Sequence, residues 1–173
     1  MSHVYVSIGS NIDPLYQILT SLQIFQQHYG KLIISSVYES QAIGFEGNNF
    51  YNLVVGFETD QKALSVIETL RTIEKTQGRQ RLSEKSFSPR ALDLDLLIYD
   101  DLVSEELSLP RKDILNYAFV LLPLSEIAPY EKHPVVGQTY AQLWKMFKEK
   151  DQQPLWPIEI KELQSFRRHL KQV

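Results

Sequence analysis

The chain contains no cysteine among its 173 residues, which excludes disulfides, thiolate metal sites and a cysteine nucleophile. It also lacks an excess of either charge. Its 18 Lys and Arg stand against 21 Asp and Glu, a formal net charge of −3, and neither end carries a long basic run. Nothing here supports a general affinity for nucleic acid or for a membrane surface. No apolar run approaches the roughly 20 residues needed to span a bilayer. The opening "MSHVYVSIGSN" has neither the basic start nor the apolar stretch of a secretory signal, so the expected location is the cytoplasm. Glycine is sparse, with 7 residues, and "GSNIDP" does not fit the GxxxxGK[ST] loop. Any nucleotide must therefore be held by side chains and metal rather than by a phosphate-cradling loop. Internal repeats and low-complexity segments are absent.

What is present is one domain's worth of alternating elements, with hydrophobic residues at 43%. "HVYVSIG" (3–9) alternates as a first strand. A helix follows, with Asp13 as N-cap, Pro14 at its first position and Gly30 as its stop; Leu15, Ile18, Leu19, Leu22 and Phe25 form its stripe. Strands are expected over 31–40 and 50–59, a second helix over 62–77 ended by Gly78, and a fourth strand over 91–99. The order β-α-β-β-α-β predicts an α+β ferredoxin-like sandwich with both helices on one face of the sheet. Beyond it come a short strand within 103–110, short helices punctuated by Pro123 and Pro129, and an amphipathic helix over 139–150. Residues 1–150 are expected to form the working domain. The extension 151–173, with Leu163, Phe166 and Leu170 in a thin stripe, reads as a helix packed on the domain or on a second copy, the alternative being a binding arm.

The unusual stretch is "FSPRALDLDLLIYDD" (87–101), where Asp93 and Asp95 interrupt a run of leucines. On a strand they share one face, while Leu92, Leu94, Leu96 and Ile98 share the other. Two adjacent like charges on a strand repel, and a cation would relieve them. Same-face neighbours lie about 6.6–6.8 Å apart at Cα, which lets two carboxylates converge on cations about 3.5–4 Å apart. Oxygen ligands alone favour Mg²⁺, which keeps waters and is completed by substrate phosphates. The competing reading is a solvated edge strand whose charges discourage aggregation. Arg79, Arg81, Lys85 and Arg90 precede the pair within 15 residues. Guanidinium forks suit phosphate oxygens, although such a loop can equally be a solvated surface. Asn52 shares a strand face with Phe50, a pairing able to read a flat heterocycle, or else a solvated amide. Glu74 lies close to the apolar stripe of its helix.

Together "YVSIGSN", "YESQAIG", "FYNLVVGFET", "IEKTQGRQR", "LLPLSEIAP" and above all "PRALDLDLL" resemble the 6-hydroxymethyl-7,8-dihydropterin pyrophosphokinases, from residue 3 to about residue 150. The resemblance implies a ferredoxin-like fold and transfer of a diphosphoryl group from ATP to the hydroxymethyl oxygen of the reduced pterin, leaving AMP. It implies that Asp93 and Asp95 hold two Mg²⁺, and that Arg79 and Arg90 are catalytic, stabilising charge at the transferred group. Ser40, Ile43, Gly44, Phe50, Asn52 and Phe119 would form the pterin site, Phe50 and Phe119 sandwiching the ring. Arg71, Glu74, Arg81, Phe87, Leu96, Arg111 and Tyr117 would face ATP. Four of these depart from the family pattern: Arg71 stands for a usual Gln, Phe87 for a Trp, Arg111 for a His and Tyr117 for an Arg. The substrate hydroxyl is expected to be activated by a metal acting as Lewis acid, with loops 42–49 and 79–89 closing over both substrates. Two other readings stay open: a diphosphotransferase or kinase of the same fold with another acceptor, and a non-catalytic nucleotide- or pterin-binding module.

Overall fold

Val4, Val6 and Ile8 alternate with Tyr5 and Ser7, and this alternation builds β1, Ser2–Ser10. In this computed structural model residues 1–42, 46–79 and 92–170 are described. The chain continues through α1 (Pro14–Tyr29), β2 (Ile33–Ile34), β3 (Val37–Ser40), β4 (Phe50–Thr59), α2 (Ala63–Arg79) and β5 (Asp93–Tyr99). It then forms α3 (Asp113–Asn116), α4 (Ala118–Ile127), α5 (Tyr140–Met146), β6 (Leu155–Ile158) and α6 (Lys161–Leu170). The sheet runs β5-β1-β4-β3-β6, with β2 also on β4. β1 lies antiparallel between β4 and β5. This is the ferredoxin-like order expected from the sequence.

Both faces of the sheet are covered. Ile18, Leu22 and Phe25 of α1 and Val66, Leu70 and Ile73 of α2 pack on Val4, Val6, Ile8, Leu53 and Val55. On the opposite face, Val120, Leu121 and Leu124 of α4 and Tyr140 of α5 pack on Tyr5, Val54, Leu97 and Ile98. The second layer stops short of the ends of β1 and β3 and the starts of β4 and β5, leaving that corner open.

Several local expectations are corrected. Asp13 occupies the N-cap with φ 45°, but its side chain makes no cap hydrogen bond; its carbonyl accepts from the Gln17 N–H at 3.1 Å. The strand expected over 31–40 breaks at Ser35. There the Ser35 hydroxyl accepts the Val54 N–H at 2.9 Å, taking the place of a ladder carbonyl. Gly78 does not end α2, which reaches Arg79. Residues 103–110 supply only an isolated bridge, Ser104↔Leu109. Pro123 lies inside α4 rather than ending it, because burial of Val120, Leu121 and Leu124 outweighs the lost N–H. The helix expected to reach residue 150 stops at Met146; its start is fixed by a capping box between Thr139 and Gln142.

The extension does more than add a helix. β6 pairs antiparallel with β3, with Ser40↔Leu155 and Val37↔Ile158 in register, and extends the sheet. Pro157 is tolerated because β6 is an edge strand. α6 then buries Leu163 in the α1/α2 layer.

The last correction lies within β5. Val6 pairs with Leu96 but Tyr5 pairs with Ile98, so Leu97 is an extra residue, a β-bulge. Leu92, Leu94 and Leu96 face α1 and α2 as expected, whereas Ile98 joins Leu97 on the opposite face.

Candidate active site

The open corner gathers residues from four strands. Gly9 pairs with Asn52 on one side and Asp93 on the other, and Ser7 pairs with Asp95. Asn52, Gly9 and Asp93 thus form a row across β4, β1 and β5. Neighbouring strands lie about 4.8 Å apart, and Gly9 adds no side chain between the amide and the carboxylate. The floor there stays open.

Asn52 is 5% exposed. Its Nδ2 donates to Ser40 Oγ at 2.9 Å and to the Tyr38 carbonyl at 3.2 Å. These bonds fix the amide plane and turn Oδ1 toward Gly9, 3.5 Å from where a Cβ would sit. Phe119 lies one residue into α4, where Tyr117 stacks on it with ring centroids 5.1 Å apart and planes at 20°. Phe50, Asn52, Ser40, Asp93 and Phe119 line one cavity of about 320 Å³, within the range of small-ligand pockets. Tyr117 lines this cavity too.

A second cavity, of about 430 Å³, opens along the outer edge of β5 between Arg71, Glu74, Leu96 and Arg111. Glu74 Oε1 accepts the Leu94 N–H at 2.7 Å and ties α2 to that edge. Leu96, two residues on, turns its backbone polar groups the same way. Arg111 is seated by its own N–H, which donates to the Leu97 carbonyl at 2.9 Å. Its guanidinium reaches Asp95 Oδ1 at 2.9 Å and Asp113 Oδ2 at 3.5 Å.

Among the described residues Asp95 is the one that lines both cavities. Asp93 and Asp95 share a half-buried face, as the strand period required. Among the described residues no cluster of three metal-binding side chains occurs. A pair of carboxylates is nonetheless a donor set that fits Mg²⁺, which takes few protein ligands and completes its shell with water and phosphate oxygens.

A family profile described as 7,8-dihydro-6-hydroxymethylpterin-pyrophosphokinase matches residues 5–129. The chain belongs to this family. Among its relatives, the 2-amino-4-hydroxy-6-hydroxymethyldihydropteridine pyrophosphokinase of Porphyromonas gingivalis is 33% identical over 141 residues, covering 78% of this chain and 95% of the relative. The enzyme of the same name from Haemophilus influenzae is 34% identical, covering 74% and 82%. That of Bacillus subtilis is 30% identical, covering 84% and 90%. Among solved structures, wild-type Plasmodium falciparum HPPK-DHPS superposes with a TM-score of 0.68 at 17% identity, over 88% of this chain and 45% of that one. This last likeness concerns the fold alone, and it agrees with the sandwich described above. The chain is therefore an enzyme of the pyrophosphokinase class in folate biosynthesis, as "PRALDLDLL" implied.

Seen as a pyrophosphokinase, the corner brings together Ser40, Phe50, Asn52, Phe119, Asp93 and Asp95, with Arg71, Glu74, Leu96 and Arg111 across the β5 edge. Ile43, Gly44, Arg81, Phe87, Arg90 and the side chain of Arg79 lie outside the described residues, as do residues 43–45 and 80–89 of the two loops expected to close. Sequence reasoning missed Ser7, Gln41 and Asp113. Ser7 had a legible signal, since it alternates in phase with Gly9 on β1. Asp113 had none, because its approach depends on how the α3 turn docks Arg111.

Proposed function

We propose that this enzyme transfers the β,γ-diphosphoryl group of ATP to the hydroxymethyl oxygen of 6-hydroxymethyl-7,8-dihydropterin, releasing AMP. The observation that carries the reading is Asp95 at the junction of the two cavities. One cavity suits a flat heterocycle, and the other runs along a strand edge whose backbone can read a purine. A polyphosphate crossing from one to the other passes over Asp93 and Asp95.

In this reading Asn52 Oδ1 accepts from the pterin edge while Phe50 and Phe119 hold its ring. Ser40, together with Ile43 and Gly44, completes that pocket. The adenosine lies beside Glu74, Arg71 and the Leu96 backbone, and Arg111 turns from Asp95 to the phosphates. Arg79, Arg81 and Arg90 neutralise charge on the group in transit, with Phe87 flanking the nucleotide and Tyr117 bracing Phe119. The new bond joins the substrate oxygen to the β-phosphorus, and the broken bond leaves AMP with the former bridging oxygen. The hydroxyl proton passes to solvent. Two Mg²⁺ held by Asp93 and Asp95 would supply charge neutralisation and Lewis acidity when bound. Positioning supplies the remainder, because such transfers ask little covalent work of the protein. A cytoplasmic location belongs to this reading, and no helix among the described residues is long and apolar enough to cross a membrane.

The test is incubation with ATP, Mg²⁺ and the pterin alcohol while AMP is followed. AMP formed only with both substrates supports the proposal. AMP formed only with a different alcohol, or no nucleotide binding at all, would overturn it.

A further inference from the structure

α4 begins without a local cap: its N-cap residue is Tyr117, whose side chain makes no cap hydrogen bond. The first N–H of the helix, that of Ala118, is instead met by Gln153 Oε1 at 2.8 Å, from 35 residues further along. The same amide donates through Nε2 to the Asn116 carbonyl at 2.9 Å, at the last residue of α3. Only one orientation of the amide satisfies both bonds, oxygen to the N–H and nitrogen to the carbonyl. Nε2 also donates to Glu149 Oε2 at 2.9 Å. One side chain therefore bridges the end of α3 and the start of α4, and the residue between them is Tyr117.

Tyr117 stacks on Phe119, and both line the acceptor cavity. The segment carrying Gln153 also borders a small cavity of about 150 Å³ whose other wall includes Ser40 and Phe119. Two residues past Gln153, Leu155 enters register with Ser40, the residue that holds the Asn52 amide. The stretch just after residue 150 thus touches both the ring-stacking wall and the amide-bearing wall of one pocket.

We infer that Gln153 is a positioning residue of the acceptor site: by fixing the Asn116–Ala118 turn it holds Phe119 at the stacking distance for a flat heteroaromatic ring. The inference rests on the proposed function in taking that ring to be a pterin. It assigns a binding role to a segment that motif reasoning treated as an appendage. Among the described residues Gln153 borders neither the second cavity nor the aspartate pair, so its expected effect is on the acceptor.

The experiment uses the full chain and measures Kd for 6-hydroxymethylpterin and for a non-hydrolysable ATP analogue with Mg²⁺ separately. Gln153→Met keeps the side-chain length and removes all three hydrogen bonds. It is expected to weaken pterin binding about fivefold or more, in the range that lost hydrogen bonds give, with nucleotide affinity unchanged. In a Phe119→Leu background the same substitution is expected to have little further effect, since both act through one ring. Equal pterin affinity in Gln153→Met and the parent overturns the inference, as does a parallel loss of both ligands or an undiminished effect in the Phe119→Leu background. A parent protein that binds no pterin overturns the functional reading instead.

Discussion

Asp95 and Arg111 form a 2.9 Å ion pair at the boundary between the two cavities of the site. Both side chains are about a third exposed, at 34% and 36%, so the pair contributes about 0–1 kcal/mol to folding. Its importance lies in which charge Asp95 meets.

Asp95→Asn and Asp93→Asn are each expected to lower the rate of AMP formation by about a hundredfold or more, the scale on which electrostatic groups act at transferred charge. Thermal unfolding is expected to shift by less than about 4 °C, as for a loss of 1 kcal/mol in a chain of this size. A large fall in melting temperature, or activity within threefold of the parent, would remove the pair from the site.

Arg111→Ala is expected to move two affinities in opposite directions. A divalent cation arriving alone must displace the guanidinium from Asp95, so Mn²⁺ titrated without nucleotide is expected to bind the variant more tightly. The ATP analogue with Mg²⁺ is expected to bind about tenfold more weakly, the cost of one charge-assisted contact. Calorimetry on both titrations checks this, and a change of the same sign in both would contradict it.

Asn52→Ala is expected to abolish pterin binding while leaving the nucleotide in place, because Asn52 borders only the first cavity. It also leaves Ser40 Oγ and the Tyr38 carbonyl without their Nδ2 donor. A stability loss of about 1–3 kcal/mol is expected from those groups. Separate binding isotherms for the two ligands and a denaturant melt test both parts.

His133 predicts a pH dependence of stability. It is 3% exposed, and its Nδ1 accepts the Val135 and Val136 N–H groups, each at 3.2 Å. Burial lowers its pKa from the usual 6.5, so below that value the unfolded chain binds the proton more readily. The contribution of this residue is thus complete above pH 6.5 and is lost as pH falls through the lower folded value. His133→Asn, which retains an acceptor, is expected to flatten the decline in melting temperature between neutral and mildly acidic pH. An unchanged slope would count against it.

The sheet was legible because its signals are local. Val4, Val6 and Ile8 on one strand, the Ile18–Leu22–Phe25 stripe, and Pro14 and Gly30 around α1 each announce their element. The aspartate face was legible for the same reason, since a period of two needs only neighbouring residues. What failed depended on partners remote in sequence. Ser35 splits a strand through its bond to Val54, Pro123 is carried by the burial of α4, and β6 exists because β3 has a free edge to receive it. The two cavities belong to that class as well. Glu74 and Leu94 are 20 residues apart, and Gln153 and Ala118 are 35 apart, so neither relation leaves a trace in any short window.

The bulge at Leu97 puts the two halves of β5 out of step. Upstream of it the face toward α4 receives acids, and downstream the same face receives aliphatic side chains. A regular ladder would force a choice: with Ile98 and Tyr5 in their present partnership, both carboxylates would point into the hydrocarbon beneath α1 and α2. One supernumerary leucine thus lets a seven-residue strand act as structural wall at one end and as cavity-facing lip at the other, and a single-residue deletion there would rotate one face into the place of the other.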